Sequence, residues 1–205
     1  MLARLYTLVL LAVFGDAPAY AQAAVKGDPA KAEPIAGSVC APCHGPKGNS
    51  PAASSPHLAG MQSQYLARQL VDYKEGRRKH DTMSATAARL STEDIENLAA
   101  FFSQQTPAAG VVRDRSLLDL GKKVFLEGNS DSGVPSCSGC HYPDGKGTAR
   151  FPRLAGQHAE YIVQQLRDYA SARRDNDRTK AMYSLSSRMT EQEMRAVAEY
   201  IAGLP

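Results

Sequence analysis

The sequence predicts an all-α protein formed by tandem duplication of one small domain. The segment Pro56–Gly60 recurs as Pro152–Gly156 with only its second residue changed, and a Tyr-x-x-x-Gln-Leu-x-x-Tyr pattern that begins at Tyr65 recurs at Tyr161. In both copies apolar residues recur three and four positions apart, which is the spacing of one helix face. The repeat has the length of a whole domain rather than that of a solenoid unit.

The first two helices of each copy are predicted with unequal strength. Leu117–Glu127 has a helical pattern in the second copy, whereas its counterpart Ala30–Val39 contains Pro34, which has no N–H to donate within a helix. The next helix in each copy is predicted by the repeated pattern at Tyr65–Tyr73 and Tyr161–Tyr169. In both places this pattern has one apolar face.

The last helix of each copy is predicted by its first residues. Ser91-x-x-Asp94 and Thr190-x-x-Glu193 match the capping box, in which a hydroxyl accepts a backbone N–H at the start of a helix. The apolar positions that follow share one helix face: Ile95, Leu98, Ala99 and Phe102 in the first copy, and Met194, Val197, Ala198 and Ile201 in the second.

One five-residue motif occurs once in each copy, as Cys40-Ala-Pro-Cys43-His44 and as Cys137-Ser-Gly-Cys140-His141. This is the Cys-x-x-Cys-His pattern that attaches a c-type haem. Two thiols on one short turn form thioethers to the porphyrin, and the histidine that follows them lies under the iron as the proximal ligand. The motifs therefore predict two covalently bound haem c groups, with iron ligands His44 and His141.

Other uses of the four cysteines explain the motifs less well. A disulfide framework is unusual in a chain of 205 residues, and a redox dithiol is expected in a strand–helix setting that these flanks lack. Paired Cys-x-x-Cys zinc sites are usually about 15–20 residues apart, much closer than these two pairs. None of these alternatives explains why a histidine follows both pairs.

A Pro-Ala-Ala-Gly segment separates the copies and predicts a linker at about 103–116. The domains are then residues 22–106 and 107–205. A domain of this size buries only a modest core on its own, so we expect the haem to supply much of the apolar interior.

The N-terminal residues 1–21 have the layout of a secretory signal peptide. Arg4 precedes an apolar run, and Ala-Tyr-Ala at 19–21 provides the small residues of a cleavage site. A transmembrane anchor is the alternative, but the run is broken by Gly-Asp before it reaches the roughly 20 residues that a bilayer needs. We therefore expect a periplasmic protein that is not an integral membrane protein after cleavage.

The charge of the chain argues against a nucleic-acid partner. The formal net charge is +3 at pH 7, and basic residues are interleaved with acidic ones in both copies. A nucleic-acid footprint would gather them on one stripe.

The sixth iron ligand decides whether a haem binds small molecules or only transfers electrons. Met83 and Met182 are the methionines that align between the copies, each ahead of the last capped helix in what we expect to be a loop. A methionine that merely fills a core gap is the ordinary alternative. Histidines His57 and His158 have no counterpart in the other copy, and His80 remains an alternative ligand because it lies close to Met83.

On these motifs the chain resembles the dihaem cytochrome c4 family over nearly all of its length after residue 21. The resemblance implies two class I cytochrome c domains, each wrapped around one covalent haem, with the haem edges close together. It also implies the iron ligands: proximal His44 and His141, and distal Met83 and Met182. Pro56 and Pro152 match the prolines whose carbonyl oxygens accept the N–H of the proximal imidazoles.

The chain departs from the family pattern in two places. The first copy lacks a clear glycine in its N-terminal helix where the second has Gly121. The second copy has extra residues, Gly128–Gly133, which have the composition of a polar loop.

The function implied is that of an electron carrier, not an enzyme, between a respiratory donor and a terminal oxidase or other acceptor, with membrane-bound respiratory complexes as partners. One alternative is the dihaem cytochrome subunit of a flavoprotein dehydrogenase, such as a sulfide-oxidising complex. A catalytic dihaem enzyme is a third, and paired methionines argue against it. The repeated arginine pairs 77–78 and 173–174 either contact haem propionates or an acidic partner, or are solvated helix ends.

Overall fold

The computed structural model describes residues 26–205, and within them the all-α prediction is confirmed. The predicted signal peptide lies outside the described residues. The α-helices are α1 (Pro29–Ile35), α2 (Ala41–His44), α3 (Ser63–Lys74), α4 (Asp81–Ala88), α5 (Thr92–Ser103), α6 (Leu118–Leu126), α7 (Ser138–His141), α8 (Ala159–Ala170), α9 (Ala181–Ser186) and α10 (Glu191–Ala202). Among these helices none has the length and apolarity to cross a bilayer.

The first and last helices of each half pack against each other, α1 on α5 and α6 on α10. Glycine allows this close approach: a Cβ on Gly121 would overlap the carbonyl oxygen of Ala196. The first half uses Gly27 in the same way against Glu96, although Gly27 precedes α1 instead of lying in it. The glycine that the first copy lacks inside its helix is therefore supplied from just outside the helix.

Pro34 divides the first helix. Because proline has no N–H, α1 loses one internal hydrogen bond and ends at Ile35. A wider π-helical turn, Ala36–Cys40, follows, and the Ser38 hydroxyl donates to the carbonyl oxygen of Pro34 at 2.6 Å. The predicted segment Ala30–Val39 is thus helical throughout but changes its winding on the way to the first cysteine.

Each half has a hydrophobic core of its own, built mainly on its last helix. All eight apolar positions predicted on α5 and α10 are buried. Both capping boxes form: the Ser91 hydroxyl accepts from the Asp94 N–H at 3.0 Å, and the Thr190 hydroxyl accepts from the Glu193 N–H at 3.2 Å. The last helix of each domain is therefore fixed at its N-terminal end.

The additional loop of the second half is fastened to α10. Asn129 pairs with Val134 in an isolated antiparallel bridge, and the Asn129 side chain donates to Glu193 at 2.7 Å. Arg188 donates to the carbonyl oxygen of Gly133 at 2.9 Å. The polar loop is thus an ordered turn at the start of the last helix.

The chain between α5 and α6 contacts both halves. Asn49 of the first half donates to the carbonyl oxygen of Thr106 at 2.9 Å and accepts from the N–H of Ala108 at 2.8 Å. Further along, the N–H of Arg113 donates to Glu199 of the last helix at 2.8 Å. This connection therefore helps to hold the halves together.

Two histidines meet between the halves. The rings of His57 and His158 are stacked, with centroids 3.9 Å apart and planes at 29°. Nδ1 of His57 accepts from the N–H of Ser50 at 2.9 Å, and Nε2 of His158 lies 3.1 Å from the carbonyl oxygen of Ser50. The side chain of Gln157 accepts from the backbone N–H of His57 at 2.8 Å. Because neither histidine recurs in the repeat, sequence comparison does not find this contact.

We predict that this contact makes the stability depend on pH. Burial, and then the positive charge of His158, lower the pKa of His57 from its ordinary value of 6.5 to about 4. Between these values the unfolded chain binds more protons than the folded chain, so the free energy of unfolding falls as the pH drops through that window. His57→Gln should flatten this part of the pH profile, measured by chemical denaturation of the haem-loaded protein. Arg153→Gln, at the equivalent repeat position, is the control, and an unchanged slope in His57→Gln would refute the prediction.

Candidate haem-binding sites

Each cysteine motif forms one helical turn. Cys40 ends the π-helical turn and Cys43 lies on α2, while Cys137 precedes α7 and Cys140 lies on it. The first cysteine of each pair is half-buried and the second is exposed. All four thiols are free, so the disulfide alternative is not realised.

The first thiol of each motif is not activated by its surroundings. Burial raises the pKa of the Cys40 thiol to about 11 and that of the Cys137 thiol to about 12. Reactive and metal-binding cysteines instead have lowered pKa values, because the thiolate is the nucleophile and the ligand. Within residues 26–205 no three His, Cys, Asp or Glu side chains converge on a point that would hold a metal ion.

The histidine that closes each motif is buried and oriented. His44 and His141 are each 7% exposed. Nδ1 of His44 lies 2.9 Å from the carbonyl oxygen of Pro56, and Nδ1 of His141 lies 2.9 Å from that of Pro152. A carbonyl only accepts, so Nδ1 carries the hydrogen in both rings and the lone pair is on Nε2. The structure therefore brings together both predicted histidine–proline pairs.

Burial has the same effect on both imidazoles. It lowers the pKa of His44 and of His141, and the hydrogen bonds to the proline carbonyls oppose this only in part. The neighbouring His80 imidazole lowers the pKa of His44 further. A neutral ring with a free Nε2 is the form that binds a metal.

The same sharp turn follows both histidines. Gly45 has φ 76° and ψ 156°, and Tyr142 at the equivalent position has φ 66° and ψ 154°. This region is favoured by glycine, and a residue with a side chain there costs about 1–3 kcal/mol. Tyr142 gains no burial in return, since it is 53% exposed. The chain therefore makes the same sharp turn after both histidines, although tyrosine disfavours this backbone conformation.

Both aligned methionines lie near the start of short helices, Met83 on α4 and Met182 on α9, and both are half-buried. The loop expected at these positions is thus replaced by one or two helical turns. Their backbone N–H groups are capped differently: Nδ1 of His80 accepts from Met83 at 3.4 Å, and Oδ2 of Asp177 accepts from Met182 at 2.7 Å. Asp177 was not found from the sequence, because the segment that contains it differs in length between the two copies.

Arg78 reaches from the first half into the second. It is 7% exposed and donates to Tyr161 at 2.9 Å and to Gln165 at 2.7 Å. Within its own half it donates to Gln69 at 2.9 Å, and its guanidinium lies over the ring of Tyr73, 4.8 Å from the centroid.

Arg174 makes the reciprocal contacts from the second half. It is also 7% exposed and donates to Tyr65 at 3.0 Å and to Gln69 at 3.1 Å across the interface. It donates to Gln165 at 2.7 Å in its own half and lies over the ring of Tyr169. The duplicated residues thus form a crossed network in which each arginine binds the tyrosine and glutamine of the other half.

Comparison with known proteins agrees with this geometry. The family model described as cytochrome c matches residues 118–205, and the model described as cytochrome C oxidase, cbb3-type, subunit III matches residues 27–102. Cytochrome c4 of Thiocapsa roseopersicina is 40% identical over 181 residues, which are 87% of this chain and 93% of that protein. The chain belongs to the cytochrome c4 family.

Solved and curated relatives extend the comparison. The crystal structure of reduced recombinant cytochrome c4 from Pseudomonas stutzeri has a TM-score of 0.83 and 39% identity, and the match covers 87% of this chain and 100% of that one. A thiosulfate dehydrogenase electron acceptor from Thiomonas intermedia is 36% identical over 86% of this chain and 82% of that protein. As a cytochrome c4, the chain has two cytochrome c domains with two covalent haem c groups, and it is an electron-transfer protein, not an enzyme.

The interface of this cytochrome c4 fits a cofactor that carries carboxylates. Among the ion pairs of residues 26–205, none neutralises Arg78 or Arg174. Buried charge is costly without a counter-charge, and haem brings its own propionates. The neighbouring Arg77 and Arg173 are instead exposed and paired with aspartates. The repeated arginine pairs therefore divide into one buried and one solvated member each.

We predict that the buried and the exposed arginine of a pair contribute very differently to the free energy of unfolding. Arg174→Ala should lower the free energy of unfolding by about 2–3 kcal/mol, because it removes charged hydrogen bonds to buried acceptors. Arg173→Ala should cost less than about 1 kcal/mol, as expected for an exposed ion pair. Denaturant unfolding of the haem-loaded proteins measures both values, and equal losses would contradict the distinction.

Proposed function

We propose that this cytochrome c4 is a periplasmic electron carrier in which each haem iron lies between a histidine and a methionine. His44 and His141 are the proximal ligands through Nε2, and Met83 and Met182 are the distal ligands through sulfur. The observation that carries the proposal is the pair of 2.9 Å contacts from the buried Nδ1 atoms to the carbonyl oxygens of Pro56 and Pro152. Those contacts leave each Nε2 free to bind a metal.

The protein's part in electron transfer is to fix ligands and exclude solvent. When bound, each haem supplies a one-electron ferric/ferrous couple attached through Cys40 and Cys43 or through Cys137 and Cys140. The proline carbonyls hold the imidazole rings in one orientation and raise their basicity. The methionine thioethers close the remaining position, which favours the ferrous state and leaves no place for a substrate.

The chemistry of attachment and the N-terminal layout support an exported protein. Residues 1–21 act as the signal peptide in this proposal, and the exported chain consists of domains 22–106 and 107–205. In bacteria the thioether bonds of c-type haem are formed outside the cytoplasm. Membrane-bound respiratory complexes are the proposed partners, with a quinol-oxidising donor and a terminal oxidase as acceptor.

A second candidate is supported by the relatives. The protein from Thiomonas intermedia that is 36% identical is named a thiosulfate dehydrogenase electron acceptor. The donor would then be a sulfur-oxidising dehydrogenase, and the chain would remain a carrier with the same ligands. Reduction of the oxidised protein by thiosulfate plus purified thiosulfate dehydrogenase, compared with reduction by a quinol-oxidising complex plus quinol, distinguishes the donors.

We predict that each methionine closes one haem only. Met83→Ala should make the first haem high-spin and able to bind cyanide, while the second haem keeps its low-spin spectrum. Optical and electron paramagnetic resonance spectra of the oxidised protein measure this, and Met189→Leu, a core methionine aligned with Leu90, is the control. If Met83→Ala leaves both haem spectra unchanged, the ligand assignment is wrong.

A further inference from the structure

The two methionine-bearing helices begin with different caps. At the start of α4, Nδ1 of the His80 imidazole accepts the Met83 N–H at 3.4 Å, close to the limit of a hydrogen bond. At the start of α9, a carboxylate oxygen of Asp177 accepts the Met182 N–H at 2.7 Å. A hydrogen bond to an ionised acceptor is roughly twice as strong as one between neutral groups.

Asp177 lies in a segment that is three residues longer than its counterpart in the first domain. Met182 lies eight residues after Arg174, whereas Met83 lies five residues after Arg78. The additional residues form a small turn around the carboxylate. Its other oxygen, Oδ1, accepts from the N–H of Thr179 at 3.1 Å and from the Thr179 hydroxyl at 2.8 Å.

The turn is also anchored to the domain interface. Asn176, next to Asp177, donates to Asp72 of the first domain at 2.7 Å and to Gln69 at 3.0 Å. Arg174 in turn donates to Asn176 at 3.1 Å. The interface therefore holds Asn176, and the adjacent Asp177 holds the backbone N–H of Met182.

We propose that Asp177 is a positioning residue that holds Met182 in place more firmly than His80 holds Met83. The inference rests on the methionine ligation of the proposed function. Its consequence is that an external ligand replaces the first domain's methionine before the second's. This replacement breaks one iron–sulfur bond and forms one bond to the incoming ligand, with no change of oxidation state. The first domain is then the one whose iron becomes accessible.

Imidazole titration of the oxidised, haem-loaded full chain tests the order of replacement. We expect two separate steps in the optical and paramagnetic spectra. The spectral change caused by loss of a methionine ligand should disappear from the step at lower imidazole concentration in Met83→Ala. In Met182→Ala it should disappear from the step at higher concentration. These two variants assign the steps independently of Asp177.

Substitutions of the cap test its role. Loss of a helix cap corresponds to a roughly fivefold change in an equilibrium constant, so Asp177→Ala should raise the imidazole affinity of the second haem roughly fivefold. Asp177→Asn keeps a side-chain oxygen that accepts the Met182 N–H, so the imidazole affinity of its second haem should stay close to that of the unmodified protein. Asp175→Ala is the matched control, because it removes an equal charge from an exposed ion pair with Lys180 and leaves the Met182 contact intact. His80→Asp places a carboxylate at the start of α4, so it should lower the imidazole affinity of the first haem by a similar factor.

Three outcomes are decisive. If Asp177→Ala and Asp175→Ala shift the second step equally, the effect is one of charge, and the positioning role is overturned while methionine ligation stands. If the second domain's methionine is replaced first in the unmodified protein, the inference is wrong in the same way. If neither methionine variant alters the titration, the ligand assignment of the proposed function fails and the inference fails with it.

Discussion

The interaction on which the rest of the molecule depends is the hydrogen bond from a buried imidazole to a proline carbonyl. It fixes the hydrogen on Nδ1, and Nε2 therefore points its lone pair away from the proline. One helical turn must also present two thiols beside that imidazole, which explains the sharp turn that follows even where Tyr142 occupies it. The helices around each motif then enclose a cofactor that a small domain needs for its interior.

Duplication supplies the second constraint. Because the same residues occur in both domains, the interface is built by exchange, and each buried arginine binds the partner domain's tyrosine and glutamine. Such a network is symmetric, yet the chain breaks the symmetry around it. The stacked histidines have no equivalent in the repeat. The methionine-bearing helices also have different acceptors at their starts, an imidazole nitrogen in α4 and a carboxylate in α9. Two haems in similar domains thus have different surroundings without any change of motif.

Much of what recurs could be predicted from the sequence. Repeated motifs and capping boxes predicted most of the helices and the haem attachment, because each has a fixed spacing along the chain, and the resemblance to the cytochrome c4 family supplied the histidine–proline pairs. The sequence was not sufficient for features that depend on tertiary contact. The sequence does not distinguish adjacent arginines such as Arg77 and Arg78. Only the packing of the two domains shows that Arg78 is buried and Arg77 is exposed. Gly27 makes its close contact from outside a helix, and Asp177 lies in a segment that differs in length between the two copies.

In the proposed ligation, both irons are closed by histidine and methionine. Nuclear magnetic resonance of the fully reduced protein tests it most directly, because a methionine bound to ferrous haem has strongly shifted side-chain signals. Ligation by both methionines predicts two such sets of signals, one assigned to Met83 and one to Met182, and only low-spin haem in the oxidised protein. A single set, or a high-spin ferric haem in the unmodified protein, would contradict it.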